Sequence, residues 1–187
     1  LEICEGQQWD MEFETRNDVT VPEYMEMIRL KTSVLLSAAL KIGAVLGGAS
    51  EDDARKLYDF GIKMGLAFQL QDDYLDVYGD SKVFGKNIGG DILCNKKTYM
   101  LIKALEHANA DQHNQLNSWI NAETFQPAEK IAAVTELYDR IGVKAVCENK
   151  ILEYSNRAME SLAAVSIAEE KKEELKKIIE NLIHREV

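Results

Sequence analysis

The sequence predicts an all-α protein, and three observations carry that expectation. Apolar residues recur at helical spacing through most of the 187 residues, only two prolines interrupt them, and no stretch alternates as a strand does. Helix-start signatures stand where the pattern begins, because Thr20-Val21-Pro22-Glu23 and Ser166-Ile167-Ala168-Glu169 both read as capping boxes. There is no internal repeat or low-complexity tract. At 46% hydrophobic residues the chain can bury a sizeable core, and residues 1–187 read as a single helical domain.

A first long helix spans about Val21 to Leu46, with apolar runs Val34-Leu35-Leu36 and Ala38-Ala39-Leu40 broken by Ser37 and Lys41. It is too short and too interrupted to span a membrane, so it reads as a core helix or a dimer face. From Ser50 to about Tyr78, residues such as Leu57, Phe60, Met64, Leu70 and Leu75 leave little room for a solvated face, which marks a buried helix. Glu51-Asp52-Asp53 follows Ser50 as the acidic start of that helix, where an N-cap and negative charge are favourable. Further helices read from about Lys96 to Ala108, Pro127 to Ile141, Val143 to Val165 and Ala168 to Arg185. Asn109 to Gln126 is polar and without clear period, a loop or a short helix. The last helix sets Leu175, Ile178, Ile179 and Leu182 against the charges of Lys171-Lys172-Glu173-Glu174, a solvated face on an amphipathic helix.

The chemistry concentrates in Asp72-Asp73-Tyr74-Leu75-Asp76, three carboxylates inside the helix that reads as buried. Gly65, Gln69, Asp72 and Asp76 follow i, i+4, i+7, i+11 and stack as one stripe, with Asp73 about 100° round. Poor helix propensity and like-charge repulsion together destabilise the bare helix by roughly 1–2 kcal/mol. A cation must compensate, and Mg²⁺, which is commonly held by one or two carboxylates plus substrate phosphates, suits an aspartate pair one turn apart. Four glycines follow between Gly79 and Gly90, with Lys86 beside Gly85, and then Asn95-Lys96-Lys97-Thr98. Glycines let backbone approach a ligand, and a lysine among them reaches an anion as a flexible point charge. Lys96, placed at or near a helix start, adds to an anion site. A metal-bridged diphosphate is the ligand this pattern fits.

Gly65 to Asp80 with its DDxxD motif, then Gly85-Lys86, Gly89, Asp91 and Lys96-Lys97-Thr98, resembles the second aspartate-rich region of trans-isoprenyl diphosphate synthases, which include farnesyl and geranylgeranyl diphosphate synthases. Gly6-Gln7-Gln8-Trp9-Asp10 resembles that family's GQxxD helix, and Lys31-Thr32 its Lys-Thr pair. The motif-bearing part runs from Gly6 to Thr98.

The resemblance implies a helical bundle of the isoprenoid synthase type with its N-terminal helices absent, a homodimer, and Mg²⁺ as cofactor. The implied reaction is head-to-tail prenyl transfer: an allylic diphosphate ionises, isopentenyl diphosphate attacks the carbocation, and the departing diphosphate accepts the proton. Carried over by residue, Asp72 binds Mg²⁺ directly and Asp73 and Asp76 directly or through water, while Lys31, Lys86 and Lys96 hold the allylic diphosphate. Thr32, Phe68 and Gln69 stand beside the reacting carbons, and Gln7 and Asp10 near the metal cluster.

One departure matters. The family's first aspartate-rich motif is missing, since Glu51-Asp52-Asp53 has Lys56 in place of the closing aspartate. With Leu1 rather than Met at its start, the chain is expected to be the C-terminal part of a longer protein and inactive alone. A non-catalytic diphosphate-binding or regulatory partner subunit is the alternative reading. A terpene cyclase fits worse, because its second metal motif usually carries Asn, Ser or Thr, and Glu.

Net charge of −10 disfavours nucleic acid as a partner. Cys4, Cys94 and Cys147 are odd in number and lack CxxC spacing, which points to a reducing cytoplasm rather than a disulfide framework. His107, His113 and His184 lack metal-ligand spacing and read as structural or surface residues.

Overall fold

The computed structural model describes residues 1–79 and 88–183, without the side chains of Leu182 and Ile183. Among the described residues every regular element is a helix: α1 (Glu2–Thr15), α2 (Val21–Ile28), a π-helical turn (Arg29–Ser33), α3 (Val34–Leu46), α4 (Glu51–Tyr78), α5 (Gly90–Leu93), α6 (Tyr99–His107), α7 (Ala110–Ile120), α8 (Pro127–Ile141), α9 (Val143–Ala163), a 3₁₀ turn (Glu169–Lys171) and α10 (Glu173–Ile183). None of them is long and apolar enough to cross a membrane.

The axis of the fold is α4, whose 28 residues extend about 42 Å and pack chiefly along α9 and α3. It begins as the sequence predicts, with the Ser50 side chain accepting from the Asp53 N–H. Around its C-terminal half Leu70 and Leu75 are fully buried with Tyr24, Met100, Leu116, Leu137, Val143 and Cys147. Burying side chains of that size contributes about 1.5–3 kcal/mol each. A smaller apolar cluster surrounds its N-terminal half, joining Phe60 and Met64 to Ala158 and Leu162 of α9 and Ile179 of α10.

The expected helix from Val21 to Leu46 begins with the Thr20/Glu23 capping box in place, yet it is not uniform. Arg29–Ser33 widens into a π turn, and that turn carries Lys31 and Thr32. Two glycines clasp it. A Cβ on Gly6 of α1 would collide with the Lys31 backbone, and one on Gly65 of α4 would stand 2.6 Å from the Ser33 Cα. Insertions of this kind concentrate at functional sites, and helical periodicity alone does not distinguish them from a regular helix.

Other boundaries differ locally. Thr98, not Lys96, caps α6, so Lys96 lies in the approach to the helix. The segment after Asn109 forms a helix of 11 residues, started by a capping box between Asn109 and Gln112. The capping box expected at Ser166 does not form. The Ser166 N–H donates to Asp53 Oδ1 at 2.9 Å, and the Glu169 carboxylate pairs with Lys172 and Lys176, which leaves a 3₁₀ turn ahead of α10.

Candidate functional site

The predicted residues converge along the C-terminal half of α4 and on the π turn beside it. Asp73, with 3% of its surface exposed, points into the protein. The Tyr24 hydroxyl donates to its Oδ2 at 2.5 Å, the Gln69 amide donates to its Oδ1 at 3.1 Å, and Lys96 Nζ stands 3.4 Å from the same oxygen. Burial pushes the Asp73 carboxyl up, while Lys96, Tyr24 and Gln69 pull the other way. The Tyr24 phenol is itself driven well above the ordinary tyrosine value by burial and by the facing carboxylate.

Lys96 bridges two acids, because its Nζ is also 3.3 Å from Asp91. Burial opposes its charge, yet Asp73 and Asp91 hold its pKa above the ordinary lysine value, and Asp10 adds to the effect. Burial and the neighbouring Asp73 push Asp91 up to about 6. Asp76 anchors the return of the chain: its Oδ2 accepts the Asp91 N–H at 2.9 Å and its backbone carbonyl accepts the Gly89 N–H at 2.6 Å.

Asp72 and Asp76 are half-buried rather than buried, on the stripe the helical spacing predicts. Among the described residues no group of three His, Cys, Asp or Glu side chains forms a ready-made metal cage. The donor set fits Mg²⁺ nonetheless, since two hard carboxylates one turn apart suffice when waters and a diphosphate supply the other oxygens.

Next to the acids, Thr32 Oγ1 donates to Gln69 Oε1 at 3.2 Å, and Lys31 Nζ pairs with Asp10 Oδ2 at 2.6 Å. Lys31, Thr32, Leu35, Leu36, Met64 and Phe68 line a cavity of about 550 Å³ whose far wall is Ile178 and Asn181 of α10. Gln7 is exposed on α1. Lys86 and most of the Gly-rich loop lie outside the described residues. Glu51, Asp52 and Asp53 belong to the helix start, where Asp52 pairs with Arg55 and Lys56. His107 and His113 are exposed.

Sequence reasoning missed Tyr24, the bridging position of Asp91, and the packing of α10 beside the cavity. A tyrosine on the buried side of a capped helix needs a partner for its hydroxyl, and that demand was the available signal for Tyr24.

The sequence pattern of the polyprenyl synthetase family matches residues 1–138. A short chain isoprenyl diphosphate synthase of Methanothermobacter thermautotrophicus is 39% identical over 186 residues, covering 100% of this chain and 56% of the relative. A geranylgeranyl diphosphate synthase of Saccharolobus solfataricus is 34% identical over 89% of this chain and 49% of its own length. Among solved structures, a geranylgeranyl pyrophosphate synthase superposes with a TM-score of 0.92 at 42% identity, over 100% of this chain and 58% of that one. The Corynebacterium glutamicum geranylgeranyl pyrophosphate synthase, crystallised with isoprenyl diphosphate and magnesium, gives 0.89 at 28% identity, over 99% and 52%. The chain thus spans a little over half the length of the relatives matched along its whole length. On this sequence match and this all-α architecture, the chain belongs to the polyprenyl synthetase family.

Proposed function

We propose that this chain supplies one wall of a Mg²⁺-dependent trans-prenyltransferase site, in which isopentenyl diphosphate is joined to an allylic diphosphate. The observation that carries the reading is the continuity made by Gln69. Its amide donates to Asp73 of the aspartate cluster and its carbonyl accepts from Thr32 at the mouth of the apolar cavity. A charged end for a diphosphate and an apolar space for a hydrocarbon chain therefore join along one helix. The magnesium crystallised with the Corynebacterium glutamicum relative supports the metal assignment.

Asp72 and Asp76 are the proposed metal ligands, and buried Asp73 orients Lys96 and Gln69. Bound Mg²⁺ would neutralise diphosphate oxygens where charge builds as the allylic C–O bond breaks. Lys31, Lys86 and Lys96 hold the same oxygens and favour departure of the diphosphate. The Thr32 and Gln69 oxygens and the Phe68 ring face the carbocation, which a π face and oxygen dipoles stabilise. Leu36 and Met64 shield it from water.

Turnover needs a second aspartate-rich wall, so we read the chain as the C-terminal part of a synthase that works as a homodimer. The free thiols Cys4, Cys94 and Cys147 support a reducing compartment. The test is calorimetry of inorganic diphosphate on the purified chain, with and without Mg²⁺, beside an assay of chain elongation from labelled isopentenyl diphosphate. Mg²⁺-dependent binding without elongation is expected. Elongation by the chain alone would remove the need for a second wall, and absence of binding would remove the diphosphate site itself.

A further inference from the structure

A buried lysine bonds to Asn95, the residue before Lys96. Lys130 of α8 has 1% of its surface exposed. Its Nζ donates to Asn95 Oδ1 at 2.8 Å, lies 3.5 Å from the Leu93 carbonyl at the end of α5, and sits 4.3 Å from the centre of the Phe125 ring. Burial holds this ammonium below the ordinary lysine value. Taking an ammonium out of water is costly, whereas a methionine would fill similar volume without that penalty. What the charge holds is a strained turn. Among the described residues Asn95 is the one non-glycine with positive φ, at 52°. Its amide also donates to the Ile120 carbonyl at 2.9 Å. A side chain bonded on both of its polar atoms fixes that left-handed turn, a conformation asparagine tolerates and most residues do not. The next residue is Lys96, whose N–H donates to the Asp91 carbonyl at 2.9 Å while its Nζ faces Asp73 and Asp91.

We infer that Lys130 is a positioning residue for Lys96, acting through the left-handed turn at Asn95 to set the ammonium where a diphosphate is received. The inference rests on the diphosphate reading above, and it predicts an effect that reaches the ligand only through Lys96.

The test uses the 187-residue chain, inorganic diphosphate and Mg²⁺. Lys130→Met is expected to weaken Mg²⁺-dependent binding about tenfold when Lys96 is present and less than about twofold in a Lys96→Ala background, as a double-mutant cycle requires of coupled residues. Equal losses in both backgrounds, or no loss with Lys96 present, overturn the inference. Amide hydrogen exchange gives a readout independent of the ligand: Lys130→Met should speed exchange at the Lys96 amide about tenfold while the Ile102 amide of α6 keeps its rate. If the parent chain binds no diphosphate, the functional reading fails and exchange decides alone, a faster Lys96 amide upholding the positioning role and an unchanged one overturning it. Should Lys130→Met fail to fold, Asn95→Gly keeps the left-handed turn and removes the acceptor. The same dependence on Lys96 is then expected, and its absence overturns the role.

Discussion

Helix α4 carries three acids near each end, and the two ends dispose of the charge in opposite ways. At its start, Asp52 pairs with Arg55 and Lys56 within one turn at a solvated surface, and the more buried Asp53 takes the Lys56 ammonium and the Ser166 N–H. At its end, Asp73 is buried against Tyr24 and Lys96, which lie 49 and 23 residues away in sequence. No lysine or arginine stands between Lys63 and Lys82. Acids with cations one turn away find their counter-charge within their own helix, even where, as at Asp53, a distant N–H adds to it. Acids without them must draw partners from elsewhere in the fold or from a ligand, and a functional site is built from the second kind.

The two ends should differ most in their response to pH. In the folded chain Asp91 keeps its proton up to about 6, above the ordinary carboxylate value of 3.8, so the folded state binds more protons than the unfolded between these values. Stability at this end is fully present below 3.8 and is lost as pH rises through about 6, by an amount on the order of 2–3 kcal/mol. Asp53 is shifted the other way, by the Ser166 N–H first and by Lys56, so its contribution is present above the ordinary value and is lost as pH falls through the depressed one. In urea melts with EDTA, Asp91→Asn should flatten the fall between about pH 4 and 6, and Asp53→Asn the loss below about pH 4. An unaltered profile in either variant would break the contrast.

Removing one hydroxyl at the buried end comes next. Tyr24→Phe leaves a buried carboxylate one donor short and should cost about 1.5–3 kcal/mol in the same melts. Ser50→Ala, which removes the cap at the exposed end, should cost about 1 kcal/mol. Asp52→Asn, which breaks only surface pairs, should cost less than Ser50→Ala. A Tyr24→Phe cost no larger than that of Asp52→Asn would mean that the buried network adds nothing to stability.

Much of this was legible in residue spacing. The stripe Gly65, Gln69, Asp72, Asp76 and the inward turn of Asp73 follow from 3.6 residues per turn, and Ser50 announces its own cap. The Thr32 to Gln69 hydrogen bond and the Lys31 to Asp10 pair join motifs that the sequence could only place in order. Illegible were features set by packing between distant elements. The π turn at Arg29–Ser33 exists where Gly6 and Gly65 admit it from two other helices, and no local periodicity records that. Ser166 carries a capping signature, but its N–H donates to Asp53, 113 residues away, while Glu169 pairs with Lys172 and Lys176. Lys130 reads as a surface lysine on an amphipathic helix until Asn95 and Phe125 close over it.

The central claim is that the acids at the end of α4 hold a metal-bridged diphosphate and those at its start do not. Calorimetric titration of inorganic diphosphate in Mg²⁺ on the parent chain, Asp72→Asn and Asp52→Asn tests it directly, with circular dichroism to show unchanged helicity. Asp72→Asn should lose at least about tenfold in affinity, the effect of removing one of two carboxylate ligands, while Asp52→Asn binds as the parent does. Equal affinity in all three, or equal loss in both variants, would contradict the assignment.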